Sequence, residues 1–191
     1  MCGRYCFTRI SWDEKLDAVN TYMEKNYPGQ YKTGEIFPGD FAPAVIHLKD
    51  RIVAVPAGFG FPGYQDNRLI INARSETVAE KKTFADCLRD RRVILPASGF
   101  YEWSHHDRKK TKYLFTVDTM QTIYLCGIYK LIDGACRFVI LTRPANDSMI
   151  EVHDRMPVIV GEKEIRPYLT DRDAADEIIA TASPELERKP A

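Results

Sequence analysis

The sequence predicts one α+β domain with a curled, largely antiparallel, barrel-like β-sheet and flanking helices. Short segments rich in β-branched and aromatic residues recur along the chain, separated by turn residues such as Asp133-Gly134. Helical patterns are scattered among these segments, which favours α+β over a parallel α/β sheet. With 191 residues, 45% of them apolar and 28% charged, the chain can bury one core of its own.

The elements follow from local patterns. The first helix begins at the capping-box pattern Ser11-Trp12-Asp13-Glu14, and the second carries Val78, Phe84 and Leu88 at helical spacing. Prolines and glycines make residues 26–41 a predicted loop. Strands are predicted at 2–8, 43–49, 51–55, 69–72, 92–96, 112–118, 122–129 and 136–142, and helices at 12–25, 75–92, 162–169 and 172–180. Residues 2–183 are the predicted domain, and 184–191 a flexible C-terminal tail.

Charge and cysteine content restrict the classes of function. Twenty-seven Lys plus Arg balance twenty-seven Asp plus Glu, so the net charge does not favour coating of duplex DNA. A net charge of zero is still compatible with a basic patch on one face of the protein. The five cysteines are odd in number and the N-terminus has no secretory pattern, so we expect a reducing cytoplasm. No apolar run approaches the roughly 18 residues of a membrane span, so we expect no membrane role.

Cys2 is the first candidate functional residue. Removal of Met1, which aminopeptidases favour before a small second residue, would leave a free α-amine beside a thiol. Their ordinary pKa values, about 7.7 to 8.0 and about 8.5, leave a reactive fraction of each at neutral pH. The amine can form an imine with an aldehyde, and the thiol can close on the same carbon to give a thiazolidine. The alternative is a small, buried structural cysteine on the first strand.

Two other segments supply side chains that can move protons. Glu102 lies among aromatic residues in Gly-Phe-Tyr-Glu-Trp at 99–103, and His153 precedes a predicted strand. Carboxylate and imidazole suit proton transfer at neutral pH, although each residue alone is more often structural. The remaining histidines, His47, His105 and His106, are interpreted as structural or exposed.

Two apparent motifs are set aside. Residues 58–63 satisfy G-x-G-x-x-G, but Pro62 lies inside the match and no helix pattern follows, so a loop is predicted. The cysteines form no C-x-x-C pair, and we expect neither a metal nor a cofactor.

Four motifs stand in a distinctive order and spacing. They are Met-Cys-Gly-Arg-Tyr at 1–5, Ile-Asn-Ala-Arg-Ser-Glu-Thr at 71–77, Gly-Phe-Tyr-Glu-Trp at 99–103 and His-Asp-Arg-Met-Pro at 153–157. In these motifs the sequence resembles the SOS response-associated peptidase (SRAP) family over nearly its whole length. The resemblance implies the SRAP fold and a sensor of abasic sites in single-stranded DNA, cross-linked through Cys2 after removal of Met1. It also implies autopeptidase activity on Met1 and some lyase activity at the abasic site.

The resemblance further implies roles for individual residues. Asn72 would hydrogen-bond the sugar or the intermediate, Glu102 would assist amine activation and imine formation, and His153 would act as acid or base in ring opening. The implied DNA contacts are Arg4, Pro38, Arg74, Lys82, Thr142 and Arg155. We expect a monomer whose partner is single-stranded DNA with abasic sites, cytoplasmic and at the nucleoid when bound.

The sequence departs from the family pattern at two places. Tryptophans common in one loop are replaced within residues 57–61, so base stacking would fall to Phe59, Phe61 or Tyr64. Glu35 stands near the position of a usual asparagine and puts an anion close to the expected DNA path.

Two other functions remain open from the residues. Cys2 could be the N-terminal nucleophile of a peptidase or amidase that acts in trans. Alternatively, the protein could bind single strands without a covalent bond, and Cys2 would then be structural.

Overall fold

Two large β-sheets, one two-stranded sheet and four α-helices form the fold in the computed structural model, which describes residues 2–8, 14–63, 68–104, 110–181 and 183–191. In chain order the elements are β1 (Tyr5–Phe7), α1 (Glu14–Asn26), β2 (Gly34–Ile36), β3 (Phe41–Leu48), β4 (Arg51–Phe59), β5 (Phe61–Pro62), β6 (Leu69–Ile70), β7 (Asn72–Arg74), α2 (Ala85–Asp90), β8 (Arg92–Ala97), β9 (Gly99–Trp103), β10 (Lys112–Thr116), β11 (Ile123–Ile132), β12 (Ala135–Pro144), β13 (Arg155–Pro157), β14 (Ile159–Val160), α3 (Glu162–Thr170), α4 (Arg172–Ala180) and β15 (Glu187–Pro190).

Five strands of the larger sheet close into a barrel. Their order is β12, β4, β3, β8 and β11, and β11 pairs back onto β12. The β12–β4 pairing is parallel, and the other four are antiparallel. At Gly127 of β11 an added Cβ would lie 2.6 Å from the Val139 carbonyl oxygen, so only glycine allows this close approach of β11 to β12.

Alternate side chains along the barrel strands pack into two different hydrophobic cores. Along β12, Phe138 and Ile140 join the core that includes Tyr5 of the smaller sheet. Val139 and Leu141 belong to the other core, which includes residues of α2, α3 and α4. β12 therefore contributes a nearly continuous apolar run, as the sequence shows.

The smaller sheet has the order β15, β10, β9, β1 and β2, with all its pairings antiparallel. Its first strand in the chain, β1, lies between β2 and β9. Tyr5 and Phe7 point into the core, while Cys6 between them is half-buried. Residues 5–7, close to the start of the chain, are therefore held inside a sheet.

The predicted fold class is confirmed, and so are the main barrel strands, α1, α3, α4 and the turn at Asp133-Gly134. The helix predicted over 75–92 is wrong for most of its length, because only Ala85–Asp90 is helical. Ser75 N donates instead to the Thr142 carbonyl oxygen at 2.8 Å, which ties this segment to β12. The capping-box residues Ser11-Trp12-Asp13 lie outside the described residues.

The remaining differences between the predicted and the observed secondary structure are short strands. The loop predicted over 26–41 contains β2, and the loop predicted over 58–63 contains the end of β4 and β5. The tail predicted from residue 184 contains β15, which pairs with β10. Within the described ranges, no helix has the length and hydropathy to cross a membrane.

The buried guanidinium of Arg92 joins two helices to the barrel. It donates to the carbonyl oxygens of Leu88 and Arg89 at the end of α2, and to those of Tyr168 and Leu169 in α3. Carbonyls in the last turn of a helix have no partner within the helix and carry partial negative charge. Arg92 therefore supplies both the donors and the charge that these helix ends require.

We predict that Arg92→Met lowers the free energy of unfolding by about 2–4 kcal/mol, because the buried carbonyls lose their donors. Chemical denaturation measures this difference. The matched control is Arg166→Met on the exposed side of α3, expected within about 0.5 kcal/mol of the parent. Equal losses in the two variants would contradict the assignment.

Candidate functional site

Cys2 lies three residues before the start of β1, and its side chain is completely buried. Its Sγ is 4.0 Å from the Arg4 carbonyl oxygen. Burial, with a smaller contribution from the charge of Glu102, raises the pKa of the thiol well above its ordinary value. The thiol therefore keeps its proton at neutral pH. This burial is what we would expect of a structural cysteine, but the residues around Cys2 are polar and ionisable.

Asn72 and Glu102 converge on Cys2 from two different strands. Asn72 begins β7, and its Nδ2 donates to the Cys2 carbonyl oxygen at 3.1 Å. Glu102 lies on the core-facing side of β9 and is 4% exposed, near enough for its charge to act on the thiol. The structure thus brings together three residues that are far apart in the chain.

Two buried polar atoms beside Cys2 have no hydrogen-bond partner within the described residues. They are Oδ1 of Asn72 and the hydroxyl of Tyr5. Burial, and then the charges of Cys2 and Asp40, raise the pKa of Tyr5 well above its ordinary value, so the hydroxyl keeps its proton as a donor. Buried polar atoms of this kind are rare in folded proteins, and they can be satisfied by a polar ligand.

His153 lies two residues before the start of β13, with 15% of its side chain exposed. Its Nδ1 accepts a hydrogen bond from the Arg155 backbone N–H at 2.9 Å, which assigns the proton of the neutral ring to Nε2. Asp154 Oδ1 lies 2.9 Å from the same nitrogen and pairs with it when the ring is protonated.

An ion pair between buried Arg155 and partly exposed Glu76 links the segment after Asn72 to the strand after His153. The Arg155 guanidinium forms a two-pronged pair with Glu76, and its Nη2 also donates to the Thr142 carbonyl oxygen at 2.7 Å. Hydrogen bonding to Arg155 lowers the pKa of Glu76 to about 2. The pair joins β13 to the turns after β7 across the end of β12.

The outer face of the smaller sheet carries an aromatic and basic cluster. The Arg4 guanidinium lies 4.1 Å from the ring centre of Phe37 and 4.7 Å from that of Trp103. Glu35 pairs with Lys112 and lies 3.8 Å from Arg4. We call these five residues the outer cluster. Planar groups and cations arranged in this way can stack on bases and attract phosphates.

The other residues predicted to contact DNA fall into two groups. Pro38, Arg74 and Lys82 are exposed. Thr142 is fully buried and Arg155 is 8% exposed. Both of the buried residues belong to the ion-pair network, so their contact with phosphate stays a prediction.

A sequence model of the family described as SOS response associated peptidase (SRAP) matches residues 1–189. The chain belongs to the SRAP family. The abasic site processing protein YobE of Bacillus subtilis is 33% identical over 187 residues, covering 91% of this chain and 84% of that protein. The abasic site processing protein YedK of Escherichia coli is 26% identical over 181 residues, covering 88% of this chain and 79% of that protein.

Solved structures share the SRAP fold of this chain. A phage-related protein from Bordetella bronchiseptica has a TM-score of 0.76 at 23% identity, with 100% of this chain and 94% of that chain covered. A protein from Bacteroides thetaiotaomicron has a TM-score of 0.75 at 19% identity, with 99% and 91% covered.

The prediction that Phe59 or Phe61 of this SRAP chain stacks on bases is wrong. Phe59 is fully buried and stacks on Phe138, with ring centres 5.1 Å apart, and Phe61 is buried near Phe84. The sharp bend at Gly60, with φ of 105°, turns the chain inward between them. Tyr64 lies outside the described residues.

Sequence reasoning missed Phe37, Trp103, Lys112 and Glu76. Alternation within β9 could have placed Trp103, because it puts residues 101 and 103 on the face opposite Glu102. Phe37 and Lys112 meet Arg4 and Glu35 only through the pairing of separate strands. The expected free anion at Glu35 is instead paired with Lys112.

We predict that Glu76→Gln lowers the free energy of unfolding at pH 7 by about 1 kcal/mol. We expect a smaller loss than for a fully buried ion pair because water reaches this carboxylate. Because the pKa of Glu76 falls from 4.5 to about 2 on folding, its contribution is present above pH 4.5 and is lost as the pH falls through 2. Denaturation at several pH values should show the two proteins converging in that interval.

Glu80→Gln is the matched control, since Glu80 is exposed in the same run of turns. Its difference from the parent should be small and should not narrow between pH 4.5 and 2. A Glu76→Gln difference that stays constant through this interval would contradict the role of the ion pair.

Proposed function

We propose that the protein captures abasic sites in single-stranded DNA as a covalent cross-link through the α-amine and thiol of Cys2. The observation that carries the proposal is the convergence of Asn72 and Glu102 on this residue, with Asn72 Nδ2 3.1 Å from the Cys2 carbonyl oxygen. The names of the relatives, abasic site processing proteins, support the same substrate.

The chemistry requires the loss of Met1, because an amide nitrogen cannot form an imine. The freed amine attacks C1′ of the ring-opened sugar aldehyde, and one water leaves as the imine forms. The Cys2 sulfur then attacks the same carbon, and the thiol proton passes to the nitrogen. The product is a five-membered thiazolidine, and the whole reaction releases one water molecule.

Three side chains assist these steps. Glu102 takes a proton from the Cys2 ammonium, which frees the amine lone pair for attack. Asn72 hydrogen-bonds the sugar or the carbinolamine in this proposal, which is supported by its buried Oδ1 having no hydrogen-bond partner among the described residues. His153 acts as the acid or base that opens the sugar ring.

The same proposal covers the associated activities. In autopeptidase activity, water is added across the peptide bond between Met1 and Cys2. In lyase activity, the imine makes the sugar C2′–H acidic, a base removes this proton and the 3′ phosphate leaves. Closure of the thiazolidine removes the imine and so suppresses strand cleavage.

We further propose that the DNA is single-stranded, that it follows Arg4, Pro38, Arg74 and Lys82, and that the protein acts as a monomer in the cytoplasm and at the nucleoid. Single strands are commonly held by cations and stacking surfaces without readout of sequence. The outer cluster provides both, and it includes Arg4, which lies two residues after Cys2 in the chain. Its position beside β1 is what supports a path leading to the reactive residue.

Capture in trans of a peptide or amide carbonyl fits the site less well. A thiol whose pKa is raised by burial contains little thiolate at neutral pH, and thiolate is the nucleophile that such an enzyme uses. An aldehyde can instead be captured first by the amine.

We predict that the protein, once intact mass shows Met1 removed, forms a band with an abasic single-stranded oligonucleotide on a denaturing gel without any reductant. The mass of the product should equal protein plus oligonucleotide minus one water. Cys2→Ser keeps the amine but cannot form a thiazolidine, so its band should appear only after borohydride reduction.

Cys6→Ser is the matched control, a half-buried cysteine slightly further along the chain, and it should behave like the parent. The proposal fails if the parent gives no band. It also fails if Cys2→Ser gives an equally stable band without reduction.

We also predict that Glu35→Gln binds an intact single-stranded oligonucleotide about threefold more tightly at low salt, because Lys112 loses its partner and attracts phosphate. Fluorescence anisotropy measures the change, which should shrink as salt is raised. Glu177→Gln, on the exposed side of α4, is the control with no expected change. Equal or weaker binding by Glu35→Gln would contradict a DNA path over the outer cluster.

A further inference from the structure

The C-terminal segment, residues 183–190, contacts the sheet that carries Glu102. Its strand β15 forms the edge of the smaller sheet and pairs with β10. Tyr113 of β10 stands opposite Pro190 on one side and opposite Glu102 on the other. One residue of β10 therefore separates the C-terminal segment from the Glu102 position.

The same segment is bonded to the loop that precedes His153. The Asn146 Nδ2 donates to the carbonyl oxygens of Pro184 at 3.0 Å and Ser183 at 3.4 Å. The Leu186 N–H donates to Ser148 Oγ at 3.0 Å, and Ser148 Oγ donates in turn to Asn146 Oδ1 at 2.6 Å. Both the nitrogen and the oxygen of the Asn146 side-chain amide are therefore hydrogen-bonded.

Two consecutive turns connect Asn146 to His153. The Asn146 carbonyl oxygen accepts from the Met149 N–H at 3.1 Å, and the Met149 carbonyl oxygen accepts from the His153 N–H at 3.1 Å. Met149 is fully buried and Val152 is 3% exposed, so core packing fixes the same loop. A displacement of Asn146 would therefore be passed to the His153 backbone.

We propose that Asn146 is a positioning residue for His153, and that the C-terminal segment sets the placement of His153 relative to Glu102. The segment joins the Glu102 sheet through β15 and the His153 loop through Asn146 and Ser148. A single short stretch of chain thus bridges the two elements that carry these side chains. The proposal rests on the proposed cross-linking reaction, in which both side chains move protons.

The test measures the single-turnover rate of cross-linking to an abasic oligonucleotide for Asn146→Ala, alone and combined with His153→Ala. We expect Asn146→Ala to slow the reaction about 10-fold or more, since small misplacements of an acid or base have large effects on rate. In the His153→Ala background it should have almost no further effect, because the residue that it positions is gone.

Affinity for an intact single-stranded oligonucleotide and the circular dichroism spectrum report folding, and both should match the parent. If Asn146→Ala does not fold, Ser148→Ala takes its place in the same cycle, with a smaller loss of rate. Asn26→Ala is the matched control, an exposed asparagine whose Nδ2 bonds to the Tyr22 carbonyl oxygen within α1.

The outcomes separate the two proposals. Absence of cross-linking by the parent protein overturns the proposed function. Normal cross-linking by the parent overturns the positioning role if Asn146→Ala reacts at the parental rate. The role is also overturned if Asn146→Ala slows the reaction by the same factor with and without His153.

Discussion

The pairing of β1 between β2 and β9 is the constraint on which the candidate site depends. Chain ends are commonly frayed, but here residues 5–7 lie within a sheet, and Tyr5 and Phe7 pack in the core. A slip of one residue in this register would turn those two rings outward and move Cys2 away from Asn72 and Glu102. The large apolar cost of such a slip therefore also fixes the position of Cys2.

The second constraint is β12, which serves as a common support for the polar residues around the site. Besides its pairings within the barrel, β12 pairs with β7 and β13. Thr142 of β12 stands opposite Arg74 of β7 and opposite Pro157 of β13. β7 begins with Asn72, and β13 follows His153. The ion pair of Arg155 with Glu76 closes this arrangement across the end of β12, so that core packing and electrostatics hold the same two strands.

The long strands could be predicted because apolar residues fill both faces of the barrel wall, which gives β11 and β12 a strong local pattern. Short strands such as β2 and β15 could not, because their pairing partners, β1 and β10, are distant in the chain. The helix predicted from residue 75 failed because bonds to β12 and Arg155 outweigh local propensity. Sequence motifs were enough to select Cys2, Asn72, Glu102 and His153. The roles of Glu76 and Lys112 could not be predicted, because they depend on contacts with residues that are distant in the sequence.

Burial of the Cys2 thiol has two opposite effects on its reactivity. The raised pKa lowers the thiolate fraction, which slows oxidation and reaction with external electrophiles. Attack on an imine formed at the α-amine of the same residue is intramolecular, and effective molarities of such reactions reach roughly 10⁵ M or more. This advantage compensates for a low thiolate fraction, but only for an electrophile that the amine has already bound. In the proposed reaction, the order of the two steps would thus favour carbonyl compounds that condense with the amine, such as aldehydes, over amides and esters.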